Sequence, residues 1–237
     1  MGKTYKSKFY EARHSNTLYS AETIISLIKD LISPRSVVDV GCGVGTWLKV
    51  FQDSGIDEIL GIEGEWVNTN DLVINKDNFL KTNLEDKLRV DKKYDLAMTL
   101  EVAEHISLES ADQFVANLVT LAPVILFSAA IPLQGGKHHV NEQWPDYWKE
   151  KFAKHNYVII DCIRPHVWND EKIEMWYAQN TFVYVEQSKL KEYSRLEKLY
   201  TPNPSMLSAV LPRFYEFKLS RFPVFKALKN RIKRFTD

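Results

Sequence analysis

Two periods of apolar residues run along the chain. Ile24, Ile25, Leu27, Ile28, Leu31 and Ile32 recur at the spacing of one helix face, and Pro34 stops them. Ser20-Ala21-Glu22-Thr23 just ahead reads as a capped helix start. Val37-Val38-Asp39-Val40 is a short β-branched run of strand character, and a second helical pattern opens at Thr46. Further strands are expected over 58–62, 79–82, 94–100, 123–130, 157–163 and 181–185, with helices over 107–121 and 147–155. Such alternation predicts an α/β fold around a mostly parallel sheet. Residues 135–144 and 164–180 are left as connections, the first dense in hydrogen-bonding side chains. No internal repeat or low-complexity tract appears.

The turn after the first strand is Gly41-Cys42-Gly43-Val44-Gly45. Glycines there permit positive φ and let a ligand approach the backbone closely. The spacing G-x-G-x-G departs from the dinucleotide fingerprint G-x-G-x-x-G. Taken together, V-D-V-G-C-G-V-G-T resembles motif I of class I S-adenosylmethionine-dependent methyltransferases, a likeness covering roughly residues 20 to 186. The resemblance implies a Rossmann-like sheet flanked by helices, with its last strand antiparallel beside strand six. It also implies S-adenosylmethionine held by Asp39, Gly41, Gly43, Gly45, Glu63, Asn83, Leu84 and Leu100. In that layout Glu63, ending strand two, would accept from both ribose hydroxyls. Asn83 and Leu84 would meet the adenine, although many relatives carry Asp at the position of Asn83.

Of the 237 residues, 45% are hydrophobic and 26% charged, ordinary values for a globular chain. Two cysteines, Cys42 and Cys162, give no disulfide framework and no thiolate metal spacing, which suits a reducing, cytoplasmic compartment. The first ten residues are polar and basic, so no signal peptide is expected, and Lys6 breaks a myristoylation pattern at Gly2. The apolar stretch 121–133 is too short to span a bilayer. Charge is uneven. Residues 189–237 carry 12 Lys+Arg against 4 Asp+Glu, while residues 1–188 carry 19 against 27. The chain therefore divides into a methyltransferase domain, 1–188, and a basic, aromatic, helical extension, 189–237. A net acidic domain speaks against nucleic acid as a partner.

Glu101-Val102-Ala103-Glu104-His105 follows the fourth strand, at the carboxyl edge where such sheets bind ligands. His138 and His139 follow the fifth. Two carboxylates with imidazoles suit a divalent cation such as magnesium, manganese or zinc. Glu101, Glu104, His105 and His139 are the candidate ligands, provided the backbone turns helically there. The element resembles those of small-RNA 2′-O-methyltransferases and ubiquinone-pathway O-methyltransferases. Without a metal, His105 or His139 is the candidate base, with Glu101 beside them. A purely structural alternative makes Glu104 a cap and His105 packing.

Trp144, Tyr147, Trp148, Trp168, Trp176 and Tyr177 fall on the expected rim, interleaved with amides. Flat rings stack on sugar faces, and amides read hydroxyls in both directions. His138, Asn141, Gln143, Trp144, Arg164, Trp168, Trp176, Tyr177, Gln179 and Asn180 are thus the candidate substrate contacts. S-A-A-I-P followed by H-H-V-N-E-Q-W is similar to a bacterial methyltransferase group associated with surface-polysaccharide assembly. The expected activity is O-methylation of a sugar hydroxyl on a surface glycan or its precursor. The alternatives are an RNA 2′-O-methyltransferase and a catalytically silent cofactor-binding partner in a glycan-assembly complex. Tyr10, Arg13 and His14 are read as surface packing in preference to a lid. Phe214, Tyr215, Phe217 and later rings, interleaved with Lys218, Arg221 and further basic residues, suggest peripheral attachment at the inner face of the membrane or to a glycosyltransferase.

Overall fold

The computed structural model describes the backbone of residues 2–221 and side chains from residue 17 onward. The first element, α1 (Gly2–Ile32), is one unbroken helix. No start occurs at Ser20: that residue is buried inside the helix, and its hydroxyl accepts the N–H of Glu174 at 3.0 Å. The side chains of Tyr10, Arg13 and His14 lie outside the described residues. Ala21, Ile24, Ile25 and Ile28 form the buried stripe read from the periodicity. Ser33, at φ 48°, ends the helix ahead of Pro34.

Seven strands form one sheet: β1 (Ser36–Val40), β2 (Glu58–Glu63), β3 (Phe79–Lys81), β4 (Leu96–Leu100), β5 (Val124–Ser128), β6 (Tyr157–Ile160) and β7 (Phe182–Glu186). Their order is β3-β2-β1-β4-β5-β7-β6. The first five run parallel, and β7 is antiparallel to both β5 and β6. β1 and β5 are buried along their whole length. That is why they read as continuous apolar runs and not as alternating ones.

Successive strand residues feed opposite faces. Val37, Leu96 and Met98 join Ile24, Ile28, Leu48 and Phe51 on one side of the sheet. Val38, Val40 and Ala97 join Phe114, Leu118, Phe127 and Trp148 on the other. The helices α2 (Thr46–Asp53), α3 (Ala111–Leu121) and α4 (Pro145–Ala153) supply much of this cover. Trp148, expected at the rim, is therefore a core residue, 1% exposed.

The β6–β7 connection, expected to be a loop, contains α5 (Arg164–Val167) and α6 (Met175–Asn180). Because β6 parallels β5, this connector emerges at the carboxyl edge of the sheet. The chain then continues through α7 (Ser194–Leu199) and α8 (Pro212–Ser220). Leu196, Leu211 and Phe214 from this stretch are buried in the core beside α1, so up to residue 221 the basic extension packs on the domain. Phe214 is thereby unavailable to a membrane, whereas Tyr215 and Phe217 are exposed. The aromatic and basic residues from Phe222 onward lie outside the described residues. No helix among the described residues is long and apolar enough to cross a membrane.

Candidate active site

Strand order reverses between β1 and β4, and a cavity of about 660 Å³ opens at their carboxyl ends. Gly41 turns the chain out of β1 with φ +88°, and a Cβ there would stand 2.3 Å from a methyl of Val102. Its N–H and that of Cys42 both reach the Ile62 carbonyl, which ties the turn to β2. Glu63, ending β2, takes the Gly43 N–H on one oxygen at 2.9 Å and the Gly64 N–H on the other at 2.8 Å. Burial pushes its pKa up, and those two N–H groups partly offset the rise. Asp39 is buried beneath, its pKa raised by burial and then by the Glu63 charge. Asn83 folds an Asx turn onto the Glu85 N–H at 3.2 Å, presenting Leu84 at the cavity wall. Gly41, Glu63, Asn83, Leu84 and Leu100 line the cavity, whereas Asp39, Gly43 and Gly45 are not part of its lining.

Beyond β4 the backbone turns abruptly. Glu101 adopts φ 57°, a left-handed conformation that costs a non-glycine residue on the order of 1 kcal/mol. Its N–H is shared between the carbonyl and hydroxyl oxygens of Ser128, both at 3.0 Å. A single 3₁₀ turn over Ala103–His105 follows, the helical turn on which the grouping of these residues depends. Both Glu101 oxygens are occupied, one by Gln134 Nε2 at 2.6 Å and the other by Asn180 Nδ2 at 3.1 Å. Each oxygen keeps a further lone pair, and Glu101 lines the same chamber as Glu104, His105 and His139.

Glu104, His105 and His139 remain together, with one ligand atom from each lying within 4.8 Å of the others. The His105 Nδ1–H donates to the His138 carbonyl at 3.2 Å, and His139 Nδ1 pairs with Glu142 Oε1 at 2.8 Å. Each contact leaves Nε2 with its lone pair, and the two rings meet edge to face at 4.8 Å. Glu104 is 1% exposed, and its Oε2 has no partner. Burial, and then the Glu101 charge, push its pKa up to about 9. Burial also lowers the pKa of His105, favouring neutral imidazole. Two oriented imidazole nitrogens, an unsatisfied carboxyl oxygen and an outer carboxylate on one ring fit a divalent cation. The loop permits this packing because a Cβ at Gly136 would strike the His139 ring at 2.1 Å.

These groups face a second chamber of about 350 Å³, lined also by Thr17, Gln134, Lys137, Trp176 and Tyr177. The two cavities share Leu100, Glu101 and His105, so the chamber adjoins the larger cavity there.

The family described as "Methyltransferase domain" matches residues 12–161. The chain belongs to that family. Among curated relatives, the ubiquinone biosynthesis O-methyltransferase of Rickettsia typhi is 38% identical over 109 residues, covering 41% of this chain and 42% of that protein. The Rickettsia bellii counterpart is 34% identical over 109 residues, covering 43% and 42%. The chain thus matches less than half the length of these relatives. Similar solved folds include a SAM-dependent methyltransferase from Archaeoglobus fulgidus, with TM-score 0.51, 22% identity, and coverage of 66% of this chain and 77% of that one. The methyltransferase domain of bacterial CtHen1 gives TM-score 0.51 at 17% identity, covering 72% and 97%. CalS10, an amino pentose methyltransferase from Micromonospora echinaspora, gives 0.50 at 12%, covering 78% and 98%. At these identities the likeness is one of fold.

Several expected substrate contacts of this methyltransferase have other work. Arg164 is 4% exposed, bound to Asp161 through two nitrogens and to the carbonyls of Met206, Leu207 and Gln179. It is a structural clamp between α5 and the segment ahead of α8. Trp168 packs near its guanidinium, 5.7 Å from the ring centroid. Gln179 is buried and accepts the Leu211 N–H at 2.8 Å. Asn141 is buried and accepts from Gln143 at 2.9 Å. Trp144 is exposed at the start of α4 and lines neither cavity. Trp176 and Tyr177 line the chamber, and His138 the larger cavity. Trp66, Gln134, Glu142 and Thr17 are site residues that sequence reasoning passed over. Only Glu142, three residues after His139, carried a legible signal.

Proposed function

We propose that this methyltransferase transfers the methyl group of S-adenosylmethionine to a sugar hydroxyl of a surface glycan or its precursor. The observation that carries the reading is the shared wall of Leu100, Glu101 and His105 between a glycine-walled cavity and a chamber holding two oriented imidazoles. Bound S-adenosylmethionine supplies an electrophilic methyl on a sulfonium, and a divalent ion held by Glu104, His105 and His139 would lower the pKa of an acceptor hydroxyl. The chain's part is orientation and proton handling. Glu63 and the Gly41 turn place the cofactor with its reactive end toward β4. Without the ion, Nε2 of His105 or His139, each freed by its Nδ1 contact, would take the hydroxyl proton. Trp176 and Tyr177 offer ring surface to a sugar, with Gln134 and Lys137 as polar neighbours.

The Rickettsia relatives are named for O-methylation in ubiquinone biosynthesis, which supports oxygen as the accepting atom and favours a phenolic acceptor as the second reading. The deciding experiment measures S-adenosylhomocysteine release with a panel of glycans, a catechol and a short RNA. Turnover with glycans alone supports the sugar reading, and turnover with the catechol alone replaces it. No release with any acceptor, from protein that binds the cofactor, favours a silent partner.

The same reading places the protein at the inner face of the membrane, where lipid-linked glycans are assembled. The net basic extension and exposed Tyr215 and Phe217 support it.

A further inference from the structure

The connection from β5 to α4 opens with a β-turn, Ile131-Pro132-Leu133-Gln134, closed by the Gln134 N–H on the Ile131 carbonyl at 2.9 Å. Leu133, its third residue, has φ 69°. Positive φ at that place, just after a proline, favours Gly or Asn and strains a leucine. The flanking Ile131 and Gln134 are buried, so the tip is fixed, yet Leu133 itself is 86% exposed. Neither the backbone conformation nor burial within this chain accounts for a leucine there. What remains is a contact outside the chain.

The tip does not stand alone. Lys218 Nζ of α8 donates to the Gln134 carbonyl, and a Cβ at Gly135 would stand 3.3 Å from the same ammonium. That tether sets α8 beside the turn, with Tyr215 and Phe217 exposed on it. The guanidinium of the exposed Arg221 lies 4.8 Å from the Phe217 ring centroid. After Glu216 no acidic residue occurs until Asp237, and Lys226, Lys229, Arg231, Lys233 and Arg234 fall between them in the sequence. Exposed apolar side chains among cations without compensating carboxylates fit a surface that is anionic outside and apolar beneath, which is a bilayer containing anionic lipid. The residues straight after the tip, Gln134 to Lys137, line the acceptor chamber. One edge of the molecule therefore carries both this face and a wall of that chamber.

Resting on the membrane reading above, we propose that this edge, with Leu133 at its tip and Phe217 and Arg221 beside it, is the face that lies against the anionic bilayer. The chamber is then held at the lipid surface, and its acceptor is a head group whose lipid tail stays in the leaflet. Leu133 enters the interface first, and the basic side chains of the extension meet the anionic head groups around it.

Partitioning of the full-length protein onto phosphatidylglycerol vesicles tests this, with Leu133→Asn as the deciding variant. Asn accepts the positive φ, so the thermal midpoint should stay at the wild-type value or rise, while vesicle partitioning falls about tenfold as an inserted leucine is lost. A leucine that served only the fold would give the opposite pattern, lower stability with unchanged partitioning. The native Cys42 and Cys162 are buried, so Leu133→Cys offers one accessible thiol for an environment-sensitive fluorophore. Its emission should shift to the blue when vesicles are added. Wild-type partitioning by Leu133→Asn, or an unshifted probe on protein that does sediment with vesicles, overturns the proposed orientation and leaves membrane attachment standing. Wild-type protein that fails to sediment with these vesicles overturns the membrane reading and this proposal together, and leaves the face to a protein partner.

Discussion

Nε2 of His139 lies 3.9 Å from Oε1 of the buried Glu104, while the opposite nitrogen of the same ring is held by Glu142 at 2.8 Å. A histidine fixed on one side by a carboxylate and facing a second across a gap is arranged for an ion between them. Titration of chelator-treated protein with manganese or zinc should therefore show one site. His139→Ala should abolish that binding. Glu142→Ala should weaken it by roughly 10–100-fold, the usual effect of removing an outer-shell partner. Binding that is indifferent to His139 would leave the imidazoles as metal-free bases.

Glu104 gives a pH signature. Its folded-state pKa is raised to about 9 from the ordinary carboxylate value of 4.5, so the fold favours its protonated form. The stabilisation is complete below the unfolded value and is lost as pH rises through the folded one. Between pH 5.5 and 8.5, metal-free wild type should lose stability relative to Glu104→Gln, by up to about 1.4 kcal/mol per pH unit. Urea unfolding in the presence of chelator measures this, and parallel curves would refute it. Cation binding displaces the same proton, so affinity should climb with pH over that window.

The cofactor cavity depends on two features of backbone and charge. Gly41→Ala adds a Cβ 2.3 Å from Val102 at φ +88°, which should cost about 1–3 kcal/mol of stability and distort the cavity wall. Glu63→Ala removes the carboxylate that ties Gly43 to Gly64 and should weaken S-adenosylmethionine binding by roughly 1.5–3 kcal/mol. Calorimetry beside thermal unfolding separates the two effects. Wild-type affinity in Glu63→Ala would show that this carboxylate serves only the turn.

Membrane attachment is tested by sedimentation with vesicles containing anionic lipid. The full chain should bind and be released by salt, and a variant with the basic residues from Lys226 to Arg234 changed to Gln should not. Equal, negligible binding by both proteins would remove the membrane role.

How much of this was legible beforehand follows from how local each interaction is. The period-3.6 stripe from Ala21 to Ile28, the buried runs of β1 and β5, and the glycine turn are properties of neighbouring residues, so the sequence by itself determined the α/β sheet and the family likeness. Continuity of α1 through Ser20 was not legible, because a serine there can cap a helix or, as here, lie buried with its hydroxyl spent on Glu174, 154 residues away. Spacing likewise grouped Glu101 with Glu104 and His105. Only the tertiary structure decided that Glu101 turns left-handed into the amides of Gln134 and Asn180, which arrive from separate connections. Arg164 and Trp148 looked like rim residues for the same reason, since a polar or aromatic side chain beside a loop announces no direction. Residue type and local spacing fix which elements form, whereas the partner that satisfies a buried polar group is set by chain segments far away in sequence.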